Sequence, residues 1–259
     1  MWMTDEVSVE AGLFLAGLIG GMINSVAGGG SFITFPALIA SGVPPIAANA
    51  SNTFASCAGY LSGAAGFRGE LWAYRAHLPR LLFFALCGGG AGAWLLLQTA
   101  EAAFSRAVPW LLLVATMLLI WGESLQALLY RHFGHRQSFS TASRFLLTLF
   151  FIAICAYGGF FNAGFGIILL GYLTLTGHND IHLMNGLKLL VSAVVALLAI
   201  VVFGVGDIIA WREGGIVLAG TLIGGYAATR LIRVINQVWV RRFVIGVAAG
   251  MTTYFFIAN

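Results

Sequence analysis

The stretch GGMINSVAGGGSFITFP, residues 20–36, decides the fold class because it interrupts the long apolar region 8–42. A triple glycine disfavours the helix, and inside hydrocarbon its backbone groups would stay unpaired unless they faced a cavity or a ligand. A second interruption, GGFFNAGFG at residues 158–166, lies in the apolar region 144–177. Each region is too long for one helix and predicts a broken pair, with pieces 8–26 and 31–42, and pieces 144–162 and 167–177.

The composition places the rest of the chain in a membrane as well. Of 259 residues, 60% are hydrophobic and only 8% are charged, whereas soluble domains are about a quarter charged. Mean hydropathy is +0.94, and 34 glycines would let transmembrane helices approach closely. A soluble protein and a disordered chain are excluded. Nucleic-acid binding is not expected, because the 13 basic side chains are scattered.

Six further stretches are long and apolar enough to cross a bilayer, which takes about 20 residues. Together with the two broken pairs they predict an all-α polytopic membrane protein. The six predicted helices are 46–67, 77–98, 105–130, 182–203, 214–233 and 240–257.

The loop charges predict the topology. Three segments are rich in arginine, 68–80, 131–144 and 230–242, whereas the other loops and the amino terminus are acidic or balanced. The positive-inside rule places the three basic segments in the cytoplasm and the amino terminus outside. Segment 68–80 must then be reached by an odd number of crossings. Three crossings satisfy this, and so does a re-entrant hairpin followed by one crossing.

The two halves of the chain resemble each other. Residues 20–28 align with 158–166, matching Gly21, Asn24 and Gly28, and residues 49–52 align with 185–188. The predicted order of elements also agrees, a broken pair followed by three helices. We therefore predict a first repeat at 1–135 and a second at 136–259. An odd number of crossings in each half makes the repeats inverted, which is typical of secondary transporters with broken helices.

Lys188 is the only lysine, and it lies inside the apolar run Met184–Val202. A lysine at the bilayer centre costs about 2.5–3.5 kcal/mol on insertion scales and usually faces a bundle interior or a water cavity. Its side chain can alternatively extend to the membrane surface. The nearest acidic residue in this part of the sequence, Asp180, is eight residues away. We favour an anion-binding or proton-linked role, with an anionic substrate as partner.

The breaks themselves add positive potential. Helices that begin near Ser31 and Ile167 would present unpaired N–H groups and the positive end of the helix dipole. Nearby amides and hydroxyls, Thr53 among them, add neutral hydrogen-bond donors. The predicted substrate-binding residues are Asn24, Gly28, Gly29, Gly30, Ser31, Asn49, Ser51, Asn52, Asn162, Gly164, Gly166, Asn185 and Lys188.

Enzymatic functions fit the sequence poorly. The five histidines lie in loops or at helix entrances, so Ser31 has no evident general base. Residues 28–31 lack the lysine of a phosphate-binding loop. The three cysteines are an odd number without metal-ligand spacing. We expect no catalytic residue, no cofactor and no metal site.

Two sets of residues resemble a known family. Residues 21–36 and 42–51 are similar to the first signature of the sulfite exporter TauE/SafE family, and residues 158–166 with Asn185 and Lys188 resemble its second signature. The likeness extends over essentially the whole chain. The resemblance implies a permease for sulfur-containing anions such as sulfite, thiosulfate or organosulfonates.

The sequence thus favours a secondary transporter that exports such anions, coupled to protons, in the bacterial inner membrane. Its expected partners are the small anion and the lipid bilayer, and a homodimer is left open. Two other functions also remain open at this point. One is an anion channel, and the other is a membrane scaffold subunit without transport activity.

Overall fold

The chain folds into a bundle of helices, as seen in a computed structural model that describes residues 2–26, 29–133, 141–231 and 237–258. These ranges contain eleven helices and no strands, which confirms the predicted all-α class. The helices are α1 Trp2–Val26, α2 Ser31–Ala40, α3 Pro45–Gly66, α4 Arg68–Ala73, α5 Leu78–Leu97, α6 Glu101–Phe133, α7 Thr141–Phe160, α8 Phe165–Leu175, α9 Ile181–Val205, α10 Trp211–Leu231 and α11 Gln237–Ala258.

Both predicted breaks are present. α1 ends before α2 begins at Ser31, and α8 begins at Phe165, two residues earlier than the sequence predicted. Gly29 and Gly164 have φ angles of +100° and +77°, a left-handed conformation that glycine adopts readily. α2 has 10 residues and α8 has 11, so each spans about 15 Å, half of the hydrocarbon thickness. The breaks therefore lie near the middle of the bundle.

Five helices are long and apolar enough to cross a membrane, when only the described residues are considered: Val7–Asn24, Leu78–Leu97, Glu101–Gly122, Thr141–Phe160 and Ile181–Val205. α3 has 22 residues but is not among them, because one of its faces carries amides and hydroxyls. These polar groups are buried, and α3 packs against α1, α2, α6, α9 and α10. A polar helix is thus placed at the centre of the bundle. The short helix α4, in the segment 68–80, was predicted only as a loop.

The helix ends gather into two groups. The acidic end comprises Glu10, residues 41–44, Glu101 and residues 206–213. Here Glu101 Oε1 accepts a hydrogen bond from the Ile46 backbone at 2.9 Å, and Arg212 pairs with Glu10 at 2.7 Å. The α1–α2 pair therefore begins and ends at the acidic end, so it makes no net crossing before α3.

The basic end comprises residues 67–80 and 176–182. Here the Tyr74 hydroxyl lies 3.1 Å from His178 Nε2, and the Phe67 ring contacts His182. α3 runs from the acidic end to this one. Of the two arrangements that the loop charges allow, the described residues match the re-entrant hairpin followed by one crossing.

Glycines bring the backbones of two helix pairs into direct contact. A Cβ at Gly21 of α1 would collide with the backbone carbonyl of Thr221 in α10, and one at Gly224 would collide with that of Leu18. α5 and α7 pack in the same way, with Gly92 against Ala156. Close approach through glycine is a common means of helix association in membranes. α10 of the second half therefore packs against the first broken pair, and α5 of the first half packs against the second broken pair.

An aromatic cluster joins the two breaks. The Phe35 ring of α2 packs edge-on against Phe161 of the second break, with centroids 5.7 Å apart. Phe104 and Phe255 complete the cluster at centroid distances of 6.4 Å from Phe161 and 6.3 Å from Phe35. Phe35, Phe104 and Phe161 are at most 1% exposed. Their packing keeps both breaks in one core.

The topology can be tested by labelling single cysteines in intact cells, in a background from which Cys57, Cys87 and Cys155 have been removed. We expect Val205→Cys, next to the acidic end, to react with a membrane-impermeant thiol reagent. Ser138→Cys, in the 132–140 segment, should stay unlabelled because the positive-inside rule places it in the cytoplasm. A membrane-permeant reagent should label both. Labelling of Ser138→Cys by the impermeant reagent would contradict the assigned orientation.

The basic end should also make stability depend on pH. Burial lowers the pKa of His178, nearby His77 lowers it further, and a hydrogen bond to the Leu173 carbonyl opposes both effects. Below the ordinary pKa of about 6.5 the unfolded chain binds a proton that the folded protein resists, so folding stability falls as pH decreases. We expect the Tm in detergent to decrease between pH 7.5 and 5.5.

Between pH 7.5 and 5.5 the Tm of the His178→Gln variant should decrease less than the Tm of the parent, whatever its value at pH 7.5. His182→Gln, at an exposed position of the same end, is the matched control. Equal pH dependence in His178→Gln and the parent would contradict the assignment.

Candidate functional site

A row of polar residues follows one face of α3. Its members are spaced at i, i+3, i+4, i+7 and i+11, which places them on one side of a helix. We call this row the polar stripe; it consists of Asn49, Asn52, Thr53, Ser56 and Tyr60. All but Tyr60 are buried, and Tyr60 is partly exposed. The stripe provides hydrogen-bonding groups in the centre of an otherwise apolar bundle.

The first break is attached to the stripe through Asn52. Its Nδ2 donates to Ser31 Oγ at 3.1 Å, and its Oδ1 accepts from Thr34 Oγ1 at 2.5 Å. Both partners lie in the first turn of α2, so one amide fixes the amino terminus of that helix against α3. The Ser31 hydroxyl accepts in this bond and retains its own proton for donation.

The second break is held by three side-chain donors. Asn49 Nδ2 donates to the carbonyl of Phe160 at 2.8 Å. The Tyr157 hydroxyl donates to the carbonyl of Ala163 at 2.7 Å, and the Tyr60 hydroxyl donates to Asn162 Oδ1 at 3.3 Å. Acceptors that hydrocarbon could not satisfy are therefore paired within the protein.

The other half of the Asn162 amide has no such partner. Asn162 is only 5% exposed, and its Nδ2 is the only buried side-chain nitrogen or oxygen without a hydrogen bond among the described residues. A buried donor without an acceptor costs about 1–3 kcal/mol.

Lys188 lies next to the amino terminus of α8. Its Nζ donates to Asn185 Oδ1 at 3.0 Å, and its aliphatic stem packs on Gly166. A Cβ at Gly166 would lie 3.3 Å from Lys188 Cδ, so the glycine leaves room for the lysine. Within the described ranges the salt bridge found is that of Arg212 with Glu10, and no carboxylate pairs with Lys188. The ammonium thus has a neutral partner only.

The other predicted site residues lie as follows. Asn24 is near the polar stripe, since its Nδ2 would be 3.6 Å from a Cβ at Gly59. Gly30 packs on the backbone of Gly20. Ser51 lies on the opposite face of α3, where its hydroxyl accepts a hydrogen bond from the Ala210 backbone at 2.9 Å. Gly28 lies outside the described residues.

Sequence reasoning did not select three residues that the structure places at the breaks, Thr34, Tyr60 and Tyr157, and it did not select Ser56 of the polar stripe. The helical spacing from Asn49 would have indicated Ser56 and Tyr60. Thr34 could have been found as the residue one turn after Ser31. Nothing in the sequence indicates Tyr157, since its bond to Ala163 depends on the path of the chain through the break.

The arrangement favours binding of an anion. The amino termini of two helices and the Lys188 ammonium supply positive potential, and amides add donors. The predicted unpaired backbone N–H groups are only partly present, because those of Phe32 and Ile167 donate to the carbonyls of Gly29 and Gly164. The described residues contain no group of three or more His, Cys, Asp or Glu that could hold a metal ion.

Comparisons with known proteins show the family of the chain. The model of the family "Sulfite exporter TauE/SafE" matches residues 13–255. No solved structure matches the chain significantly.

Three relatives carry similar descriptions. A "Probable membrane transporter protein" of Haemophilus influenzae is 26% identical over 96% of this chain and 95% of its own length. The "Probable membrane transporter protein YfcA" of Escherichia coli K12 is 28% identical, covering 93% and 87%. The "Probable membrane transporter protein ORF9" of Sinorhizobium sp is 30% identical, covering 84% and 81%.

The family match covers nearly the whole chain, and several of its helices are apolar enough to span a bilayer. The protein is a multi-pass membrane transporter and belongs to the sulfite exporter TauE/SafE family.

Proposed function

We propose that the protein is a secondary transporter that exports small sulfur-containing anions, such as sulfite, thiosulfate or an organosulfonate, in exchange for protons. The observation that carries this proposal is Lys188, a cation beside the amino terminus of α8 that has no carboxylate partner among the described residues. A buried ammonium is costly in a bilayer unless a counter-charge accompanies it, and a transported anion can be that counter-charge. The family description supports sulfur oxyanions as the class.

The substrate site is proposed to lie between the two breaks. Lys188 supplies the charge, and Ser31 supplies a neutral donor from the first break. Several weaker donors suit such a substrate, because its charge is spread over two or three oxygens. Glycines surround these groups and let the substrate approach the backbone, which larger side chains would prevent. They are Gly29, Gly30, Gly164 and Gly166.

The two repeats, 1–135 and 136–259, are proposed to be inverted in the membrane; the boundary between them lies outside the described residues. The helix packing supports this. α1–α2 begins and ends at the acidic end, whereas α8 ends at the basic end, where His178 meets Tyr74. α1 packs on α10 and α7 on α5, so the contacts are exchanged between halves. Rocking of one half against the other would expose a central site alternately.

The basic end is proposed to face the cytoplasm of a bacterial inner membrane. The acidic end then opens outward through a cleft of about 520 Å³ that is lined by Glu101, Asp207 and Glu213. A negative field at this mouth lowers the local concentration of anions, which favours release over return. This supports export as the direction.

We expect proteoliposomes with the parent protein to take up radiolabelled sulfite or thiosulfate in response to an imposed pH gradient. Lys188→Ala should reduce this flux roughly ten- to a hundredfold, because one charged hydrogen bond of about 1.5–3 kcal/mol is lost. Lys188→Arg should retain part of the flux, since the positive charge remains. Binding titrations on the same variants should follow the same order.

Arg75→Ala, which removes one positive charge at the basic end, is the matched control and should transport like the parent. Parent-level binding and flux in Lys188→Ala would remove Lys188 from the site. Flux that saturates weakly and does not respond to the pH gradient would favour a channel. Absence of any anion flux would favour a scaffold subunit.

A further inference from the structure

At the second break the hydrogen-bond acceptors are paired, but one side-chain donor is not. Its acceptors, the carbonyls of Phe160 and Ala163 and the Oδ1 of Asn162, each receive a bond from a side chain of the protein. The donor on the same amide, Asn162 Nδ2, has no acceptor among the described residues. The break therefore has a donor to offer to a ligand, while its acceptors are already engaged.

Tyr60 determines which way this amide points. Its hydroxyl donates to Oδ1 at 3.3 Å, so the oxygen of Asn162 faces α3 and the NH₂ group faces away from Tyr60. The side chain is also held by burial, since Asn162 is 5% exposed. The free-energy cost of burying this unpaired donor is removed only when an acceptor binds to it.

The same turn of chain brings this donor close to the charged part of the site. Asn162 lies three residues before α8 begins at Phe165, and its backbone carbonyl accepts from the Phe165 backbone at 3.3 Å. Gly166, one helical turn further along, packs on Lys188. The Asn162 amide and the aliphatic stem of Lys188 therefore lie at the same end of α8.

We propose that Asn162 Nδ2 binds an oxygen of the transported oxyanion, and that Tyr60 is a positioning residue that holds this amide in the binding orientation. The inference rests on the proposed function. It adds a neutral donor, Asn162 Nδ2, and the residue that positions it, Tyr60, to the charged contact of Lys188. The ligand that fits is one with acceptor oxygens and no need of acceptors in return, a deprotonated sulfite, thiosulfate or sulfonate. A sodium ion would bind more weakly here, because the carbonyl oxygens that would coordinate it already accept hydrogen bonds.

Titrations of purified protein test this, using whichever of sulfite, thiosulfate and ethanesulfonate the parent binds most tightly. Asn162→Leu should weaken binding about tenfold or more, and the Tm without ligand should change little, because removal of the unpaired Nδ2 offsets the loss of the hydrogen bond from Tyr60. Tyr60→Phe should weaken binding by a smaller factor. Adding Tyr60→Phe to Asn162→Leu should change the affinity no further, since the amide that Tyr60 positions is then gone.

Thr252→Val is the matched control. Its buried hydroxyl contacts Thr116 and donates to the Ala248 carbonyl, so this variant should lower the Tm and leave the affinity unchanged. A purely structural Asn162 would behave like this control, which would overturn the proposal. If Asn162→Leu does not fold, the affinity of Tyr60→Phe for the anion becomes the test. An affinity equal to that of the parent would overturn the proposal.

The two proposals fail in different ways. If the parent binds none of the three anions, the proposed function fails and this inference fails with it. If Lys188→Ala loses binding but Asn162→Leu binds like the parent, only the role of Asn162 is overturned.

Discussion

The fold depends on how two interrupted helices satisfy their backbone in the middle of a bilayer. Hydrocarbon offers no hydrogen bonds, so the groups released at each break need partners from the protein. The polar stripe of α3 contacts both breaks: Asn49 bonds the backbone carbonyl of Phe160, and Asn52 and Tyr60 bond side chains of the two breaks. This explains why a helix with a polar face lies at the centre of the bundle.

The chemistry of the site follows from the way in which these partners are distributed. Donors from α3 and Tyr157 occupy the acceptors of the second break, and the helix termini and Lys188 are left as sources of positive potential. A site of this kind suits an oxyanion better than a cation. The glycine contacts of α1 with α10 and of α7 with α5 hold both broken pairs from outside, which lets the centre remain polar.

The sequence predicted the features that depend on local signals. Glycine runs marked both breaks, and the ten predicted pieces and helices begin and end within a few residues of the observed ones, apart from the longer ends of α1 and α6. Lys188 stood out as a single charge in an apolar run. The sequence could not predict contacts between distant elements, such as Ser51 with Ala210 or Tyr60 with Asn162. The helix α4 was missed because its six residues lie in a charged segment. Inversion of the repeats remains a prediction.

The central claim is that an anion binds between the two helix breaks, and locating a bound anion tests it most directly. Crystals soaked in selenite, a heavier analogue of sulfite, would show the anion by the anomalous scattering of selenium. We predict a peak at the amino terminus of α8, within hydrogen-bonding distance of Lys188 Nζ or Asn162 Nδ2. Selenium bound only in the acidic cleft near Glu101 and Glu213, with none at the breaks, would contradict the account.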